Sequence, residues 1–465
     1  MRDRTQIPIA GGGPGGATAA ALLARRGFEV TVLERDRFPR YHIGESLLPS
    51  LLPVLEAMGA RELVEGYGFV RKTGAFYGWG GEEWSLGFDE PHRPAPYSFQ
   101  VVRGEFDRLL LEHARGQGAV VREETSVRQV ALPAGRATEA AWATRDGREG
   151  STAFRYFIDA SGRAGVLGAR RRGARRFHDA FRNVAVWSYW RGAVPLPSAP
   201  DGAIGVFSLP EDGWLWAIPL HDGTLSVGLV TGKRSFHRAR ERHGSVDAVY
   251  HQAVEGSPHL TRILARARRT APVKVESDYS YVSRAFCGEG YFLVGDAACF
   301  VDPLLSTGVH LAMYSGLLSA AAIGSTLRGE VDEGAARRFY ETAYRQAYER
   351  LLILVSAFYR LHDGRDAYFR KAQTLSRRDR AGMRLHESFL DIVTGVEDVR
   401  DAREEAVDLL HAKLRDPLPG QRPHGLGGHA TDRMFSLPTS PHHAPAGLFL
   451  DLDPYPRLVA AGGSM

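Results

Sequence analysis

Lys72 and the small-residue turn at 306–308 are two places where residue type and setting favour reactive chemistry. Lys72 stands in VRKTGAFYGWGG, and only five of the 59 basic residues are lysine. Arginine stays charged in proteins, whereas a buried lysine can lose its proton and become a nucleophilic amine. A lysine kept in so arginine-biased a chain therefore marks a position of interest. In DPLLSTGVHLA, residues 302–312, a turn of small residues opens a helix. Backbone N–H groups so arranged make a nest for an anion. A third feature is GWLWAIP, 213–219. Residues i and i+2 of a strand share a face, so Trp214 and Trp216 would form one indole wall, and Pro219 fixes the chain direction after it. A plain pair of sheet-packing aromatics has the same spacing.

These groups need elements to carry them. IPIAGGGPGGATAAALLARRGFEVTVLERD reads as strand, glycine turn, helix and second strand. Gly11, Gly13 and Gly16 fit G-x-G-x-x-G. The first permits a tight turn, the second lets backbone approach a pyrophosphate, and the third allows close helix–strand packing. The helix start adds unpaired N–H groups and the positive end of a dipole. Glu34 closes the second strand eighteen residues after Gly16, placed to accept from ribose hydroxyls. Two later stretches, FIDASG at 157–162 and YFLVGDAACFVD at 291–302, follow apolar runs. Asp296, at the end of the second, can bond a ribityl hydroxyl just before a helix.

With these fingerprints the chain resembles the FAD-dependent monooxygenase superfamily. The resemblance implies that Arg103, in VVRGEFDRLLLEHA, lies along FAD; taken alone it reads as a cation on a helix surface. No second G-x-G-x-x-G for a nicotinamide cofactor is visible. Three flavin chemistries remain open at this point: aromatic hydroxylation, reduction of a prenyl chain, and halogenation. W-x-W-x-I-P at 214–219 is similar to the signature of flavin-dependent halogenases, and Lys72 and the Ser-Thr-Gly turn match that family too. GESLLP, within YHIGESLLPS at 41–50, resembles the phenol and pyrrole halogenases, especially those acting on tyrosyl groups tethered to carrier proteins.

The halogenase resemblance, over about residues 5–375, implies a division of roles. FADH2 from a separate reductase, O2 and chloride would yield hypochlorous acid. Backbone N–H groups at Thr307 and Gly308 would hold the halide, and Trp214 and Trp216 would keep organic substrate from the flavin. Lys72 would pass the oxidant to the ring, hydrogen-bonded or as a haloamine. Tryptophan halogenases carry a glutamate just before the Ser-Thr-Gly, where this chain has Leu305. That departure points away from free tryptophan and toward a phenolic or similarly electron-rich ring. An aromatic hydroxylase is the alternative. A flavin-binding partner without catalysis conflicts with the retained Lys72 and intact W-x-W-x-I-P.

At 465 residues the chain is too long for one ordinary core. The expected fold is α/β, with a Rossmann-like FAD-binding domain of the aromatic-hydroxylase type over 1–165 and 276–330. A β-sheet substrate-side domain is expected over 166–275, and a helical C-terminal region with a Pro/Gly/His-rich tail over 331–465. Asp278, in SDYSY, reads as a surface turn, and the chain from 416 onward reads as loop. His442-His443 has no ligand set around it that would suggest a metal. The net charge of +5 comes without a Lys/Arg run or zinc spacing, which excludes nucleic acid as a partner. LAMYSGLLSAAAIG is too short to span a membrane. Cys287 and Cys299 cannot build a disulfide framework, and no leader pattern opens the sequence, so a cytoplasmic location is expected.

Overall fold

Residues far apart in the chain complete the parallel sheet that the first glycine turn begins. The computed structural model describes residues 2–79, 81–88, 97–167, 174–210, 212–360, 438–439, 441 and 444–461, with backbone alone at 179–180, 278–279, 353–354 and 356–360. Ile7–Ala10 and Val30–Leu33 run parallel, flanked by Phe157–Asp159 on one side and Val120–Arg122 on the other. Tyr291–Leu293 extends the sheet beyond Phe157–Asp159, and Cys287–Gly288 forms its antiparallel edge. IPIA and VTVL are buried throughout, as strands covered on both faces must be. The glycine-turn helix, Pro14–Arg25, packs on the 20-residue helix Gly308–Leu327. At their crossing a methyl on Gly316 would lie 2.5 Å from Gly15 O.

A second sheet of nine strands has Arg175–Arg191 and Thr224–Gly232 near its centre. Trp214–Pro219 and Ile204–Ser208 follow, then Gly74–Trp79 in parallel and Glu82–Gly87 at the edge. In the other direction lie Lys274–Ser283 and Cys299–Phe300. Alternation divides the two faces. Trp187, Val206, Trp214 and Trp216 join the main core with the parallel sheet, while Val186, Phe207, Leu215 and Leu229 join a second core. That second core contains side chains from three helices, Lys233–His243, Val246–Glu255 and Pro258–Leu264.

Those helices depart from the all-strand reading of 166–275. In KRSFHRARERH only Phe236 is buried, too little apolar signal to mark a packed helix. The large sheet also draws Gly74–Trp79 and Glu82–Gly87 from the first segment, so the expected boundary at 165 cuts across it. Asp278 is not in a turn: its backbone pairs with Asn183 within Lys274–Ser283. Glu333–Arg360 is a single helix. Beyond 416 the loop reading fails at a hairpin, Leu448–Asp451 with Arg457–Ala460. Leu458 N donates to Ser325 Oγ at 2.9 Å, and Arg26 Nη1 to Pro456 O at 2.6 Å, tying the hairpin to the helices packed on the parallel sheet. The expected helical stretch at 361–415 and His442-His443 lie outside the described residues. Among the described residues, no helix is long and apolar enough to cross a membrane.

Candidate functional site

A cavity of about 520 Å³ opens between the two sheets, a volume in the range of small-molecule and cofactor sites. Nine of the eleven residues singled out from the sequence line it: Gly11, Gly13, Glu34, Arg103, Trp214, Trp216, Asp296, Thr307 and Gly308. Gly16 and Lys72 do not.

At one end stands the glycine turn. Gly11 has φ +102°, and a Cβ there would come 2.3 Å from Ala160 O, so only glycine fits. Gly16 lies behind it, its own Cβ position 2.0 Å from Gly11 O. Gly13 caps the helix without a side-chain bond, which leaves its first N–H groups open to a ligand. Glu34 Oε2 accepts from Gly12 N at 2.6 Å and Oε1 from Asp36 N at 2.8 Å. Each carboxylate oxygen keeps a further acceptor site for a hydroxyl. Asp296 is half-buried on the cavity wall. Burial pushes its carboxyl up to about 6, against the pull of Arg163, Arg103 and Arg175.

Arg103 is a buried clamp, not a surface cation. It is 5% exposed, and Nε and Nη2 donate to the two Asp107 oxygens at 2.8 and 3.0 Å. Burial alone would raise the Asp107 carboxyl, but Arg103, with Arg40, holds it below the ordinary range. The third nitrogen, Nη1, donates to Ile43 O at 2.8 Å and so fixes the Gly-Glu-Ser loop against the cavity. That loop delivers two residues whose roles were not read from the sequence, Glu45 and Ser46. GESLLP stood out there as a resemblance only, with no spacing to show which side chains turn inward. Glu45 is 3% exposed, and Oε1 accepts from the Tyr189 hydroxyl at 2.6 Å.

Ser46 links the cavity to Lys72. Lys72 is 2% exposed; Nζ donates to Ser46 Oγ at 2.9 Å and to Leu47 O at 3.1 Å, and lies 5.4 Å from the centre of the Phe88 ring. Burial pushes the ammonium down to about 7, so amine and ammonium coexist at neutral pH. Trp214 and Trp216 face the same side, ring centres 6.0 Å apart, with Trp187 6.4 Å from Trp216. Trp216 Nε1 donates to Ser226 Oγ at 3.1 Å. On the same cavity, Ser306 takes φ +58° and Thr307 caps the helix Gly308–Leu327. Thr307 Oγ1 is buried without a hydrogen bond in the protein, and buried hydroxyls are normally satisfied. The N–H groups and this hydroxyl together offer an anion several donors. Leu305, just before them, is buried. Among the described residues, no three His, Cys, Asp or Glu side chains gather to hold a metal.

The glycine cradle, Glu34, Asp296 and the open helix start fit a dinucleotide such as FAD. The family model for tryptophan halogenase matches residues 6–95 and 85–398. The chain belongs to that family. It is thus a flavin-dependent halogenase, an oxidoreductase, and the hydroxylase alternative is not favoured. This halogenase is 41% identical over 428 residues to a tryptophan 2-halogenase of Chondromyces crocatus, covering 90% of this chain and 81% of that one. It is 36% identical over 382 residues to the sulochrin halogenase gedL of Aspergillus terreus, covering 77% and 70%. Among solved structures, the myxobacterial chondrochloren halogenase CndH, a variant of the FAD-dependent halogenases, superposes with a TM-score of 0.72 at 32% identity, over 86% of this chain and 99% of that one.

Proposed function

We propose that this halogenase installs chlorine on a phenolic or similarly electron-rich aromatic ring, with Lys72 handing over the oxidant. The observation that carries the reading is the buried Lys72 bonded to Ser46, which itself lines the cavity of the glycine cradle and the anion turn. Gly11, Gly13, Gly16, Glu34, Arg103 and Asp296 would hold FAD. Once bound and reduced by a separate flavin reductase, it supplies the electrons with which O2 oxidises chloride to hypochlorous acid. The N–H groups of Thr307 and Gly308 hold the halide in place. Trp214 and Trp216 bar an organic ring from the flavin while leaving room for a small oxidant.

Ser46 relays hypochlorous acid to Lys72. As ammonium, Lys72 hydrogen-bonds the acid; as amine, it gives a chloramine and water. Attack by the ring on that chlorine then forms the carbon–chlorine bond, and the ring proton returns to nitrogen. A neutral fraction near pH 7 is what this second route requires, and the burial of Lys72 supplies it.

Two observations support a ring other than free tryptophan: Leu305 in place of a carboxylate, and a relative named for sulochrin. Tethering to a carrier protein rests on the GESLLP resemblance. The Chondromyces relative, a tryptophan 2-halogenase, favours a second reading, chlorination of an indole. Purified protein with FAD, a flavin reductase, NADH, O2 and chloride, offered tryptophan and free and carrier-bound phenols, decides between them. Mass spectra should show the chlorine isotope pattern on a phenol. Chlorinated tryptophan alone would establish the indole reading.

A further inference from the structure

Along the cavity wall runs a line of hydrogen bonds that none of the roles above uses, from buried Glu45 to Tyr41, which lines the same cavity and is half exposed. Glu45 lines the cavity. Its Oε1 accepts from the Tyr189 hydroxyl at 2.6 Å, and Tyr189 meets the Tyr41 hydroxyl at 2.8 Å. Trp187 Nε1 donates to Tyr41 at 2.5 Å, and Tyr41 is 50% exposed. Each phenol has a single proton. With Tyr189 donating to Glu45, the hydroxyl between the two tyrosines can only be donated by Tyr41, so the whole chain points inward. Glu45 Oε2 is buried without a hydrogen bond in the protein.

We propose that Tyr41, Tyr189 and Glu45 form an inward proton relay that carries protons from the half-exposed Tyr41 on the cavity wall to the buried Glu45 carboxyl. The relay rests on the halogenation proposed above, whose balance demands it. Reduced flavin, O2, a halide ion, an aromatic C–H and one proton give oxidised flavin, the carbon–halogen bond and two waters. The halide enters as an anion, so one proton must follow it from solvent in every turnover. In the relay, Glu45 gives up a proton at the cavity, Tyr189 replaces it, Tyr41 replaces that of Tyr189, and water reprotonates Tyr41.

The surroundings suit this. Burial pushes the Glu45 carboxyl up to about 7, with the nearby Ser226 and Tyr189 hydroxyls and Arg103 pulling it down and Asp222 pushing it up. Glu45 is therefore half protonated at neutral pH, where a group that gives and takes a proton works best. Burial also raises Tyr41, to about 12, and Tyr189 further, so neither phenol holds a charge and the protons move in concert. Lys274 Nζ lies 3.9 Å from the centre of the Tyr41 ring, and Glu45 and, less strongly, Glu276 are the anions whose charge also raises Tyr41.

Two measurements on the FAD-loaded enzyme test the relay. Infrared titration should show a carboxyl that ionises near neutral pH and vanishes in Glu45→Gln. Its absence from the wild type overturns the proposal. Stopped-flow with a pH indicator should show halide-dependent uptake of one proton per turnover. Tyr189→Phe should slow that uptake about tenfold or more while FAD content, read from its absorbance, stays unchanged. If Glu45→Gln fails to load FAD, Tyr41→Phe at the exposed end serves as the second variant, with the same slowing expected. Uptake at the wild-type rate in Tyr189→Phe overturns the relay alone. A wild-type enzyme without halide-dependent uptake overturns the halogenation beneath it as well.

Discussion

Lys72 Nζ and Ser46 Oγ meet at 2.9 Å, and of the two only Ser46 lines the cavity. The lysine thus stands one side chain behind the wall, out of water. Lys72→Ala should load FAD normally and lose halogenation by about a hundredfold or more, measured by product chlorine in mass spectra. Ser46→Ala should lose activity less severely, since Leu47 O still holds the ammonium. Equal activity in Lys72→Ala and wild type would remove the lysine from the mechanism.

The same burial makes Lys72 a probe of stability against pH. An unfolded lysine keeps its proton up to about 10.4, whereas folded Lys72 releases it near 7. Between those values the unfolded state binds more protons, so folding is favoured as pH rises. Relative to Lys72→Met, the wild type should gain up to about 1.4 kcal/mol per pH unit from pH 7 upward. Urea unfolding at pH 7 and 9 checks this, and a constant difference would mean that Lys72 titrates like a surface lysine.

Trp216 stands opposite Gly228 in the antiparallel pairing, and a Cβ on Gly228 would come 2.1 Å from Trp216 Cζ2. Gly228→Ala should therefore cost about 1–3 kcal/mol by overpacking. With Trp216→Leu in the same chain the clash is gone, so the two losses should not add. Denaturant unfolding of the single and double variants measures the coupling; strict additivity would place the indole elsewhere.

Much of this site was legible because its chemistry is local. Gly11, Gly16 and Glu34 sit within one strand–turn–helix–strand unit, where backbone geometry dictates residue type, and Trp214 and Trp216 share a face by strand alternation alone. Glu45 was not legible in the same way. Its inward turn depends on Arg103, some sixty positions later, and its partner Tyr189 lies in a distant strand of the large sheet. For Arg103 only the resemblance pointed to the cofactor; its residue type alone also fitted a surface cation, and nothing local marked Asp107, one turn along its helix, as its buried partner. The helices from Lys233 to Leu264 stand where strands were expected: Lys233–His243 buries only Phe236, but Val246, Val249, Tyr250, Ala253 and Val254 do recur at helical spacing, a signal that the strand reading of the flanking segments overrode. The hairpin from Leu448 was hidden by Pro454 and Pro456, which fill its turn and read as loop.

Arg103 and Asp107 form a buried two-point ion pair, and removing one partner should strand the other. Arg103→Met leaves Asp107 with only Arg40, at 3.2 Å, and should cost about 3–5 kcal/mol. It should also free the Ile43–Ser46 loop and weaken FAD binding. Adding Asp107→Asn should restore part of the stability, because no uncompensated charge remains, without restoring FAD affinity. Thermal unfolding and flavin titration separate these effects. A single variant as stable as the wild type would show that Arg40 suffices.

Asp296 should give the candidate cofactor site its own pH signature. With its carboxyl raised to about 6 by burial, it is largely neutral at pH 5 and largely ionised at pH 7. A carboxylate accepts a hydroxyl hydrogen bond more strongly than a carboxylic acid does. If Asp296 holds a ribityl hydroxyl, FAD affinity should rise about tenfold from pH 5 to 7, and Asp296→Asn should flatten that rise. Glu45→Gln is the control, since Glu45 titrates about one unit higher on the same cavity and would otherwise mimic the effect. Fluorescence titration of the apoprotein at both pH values reads the affinity directly. A slope that survives Asp296→Asn but vanishes in Glu45→Gln would move the flavin's polar anchor from the strand end to the Gly-Glu-Ser loop.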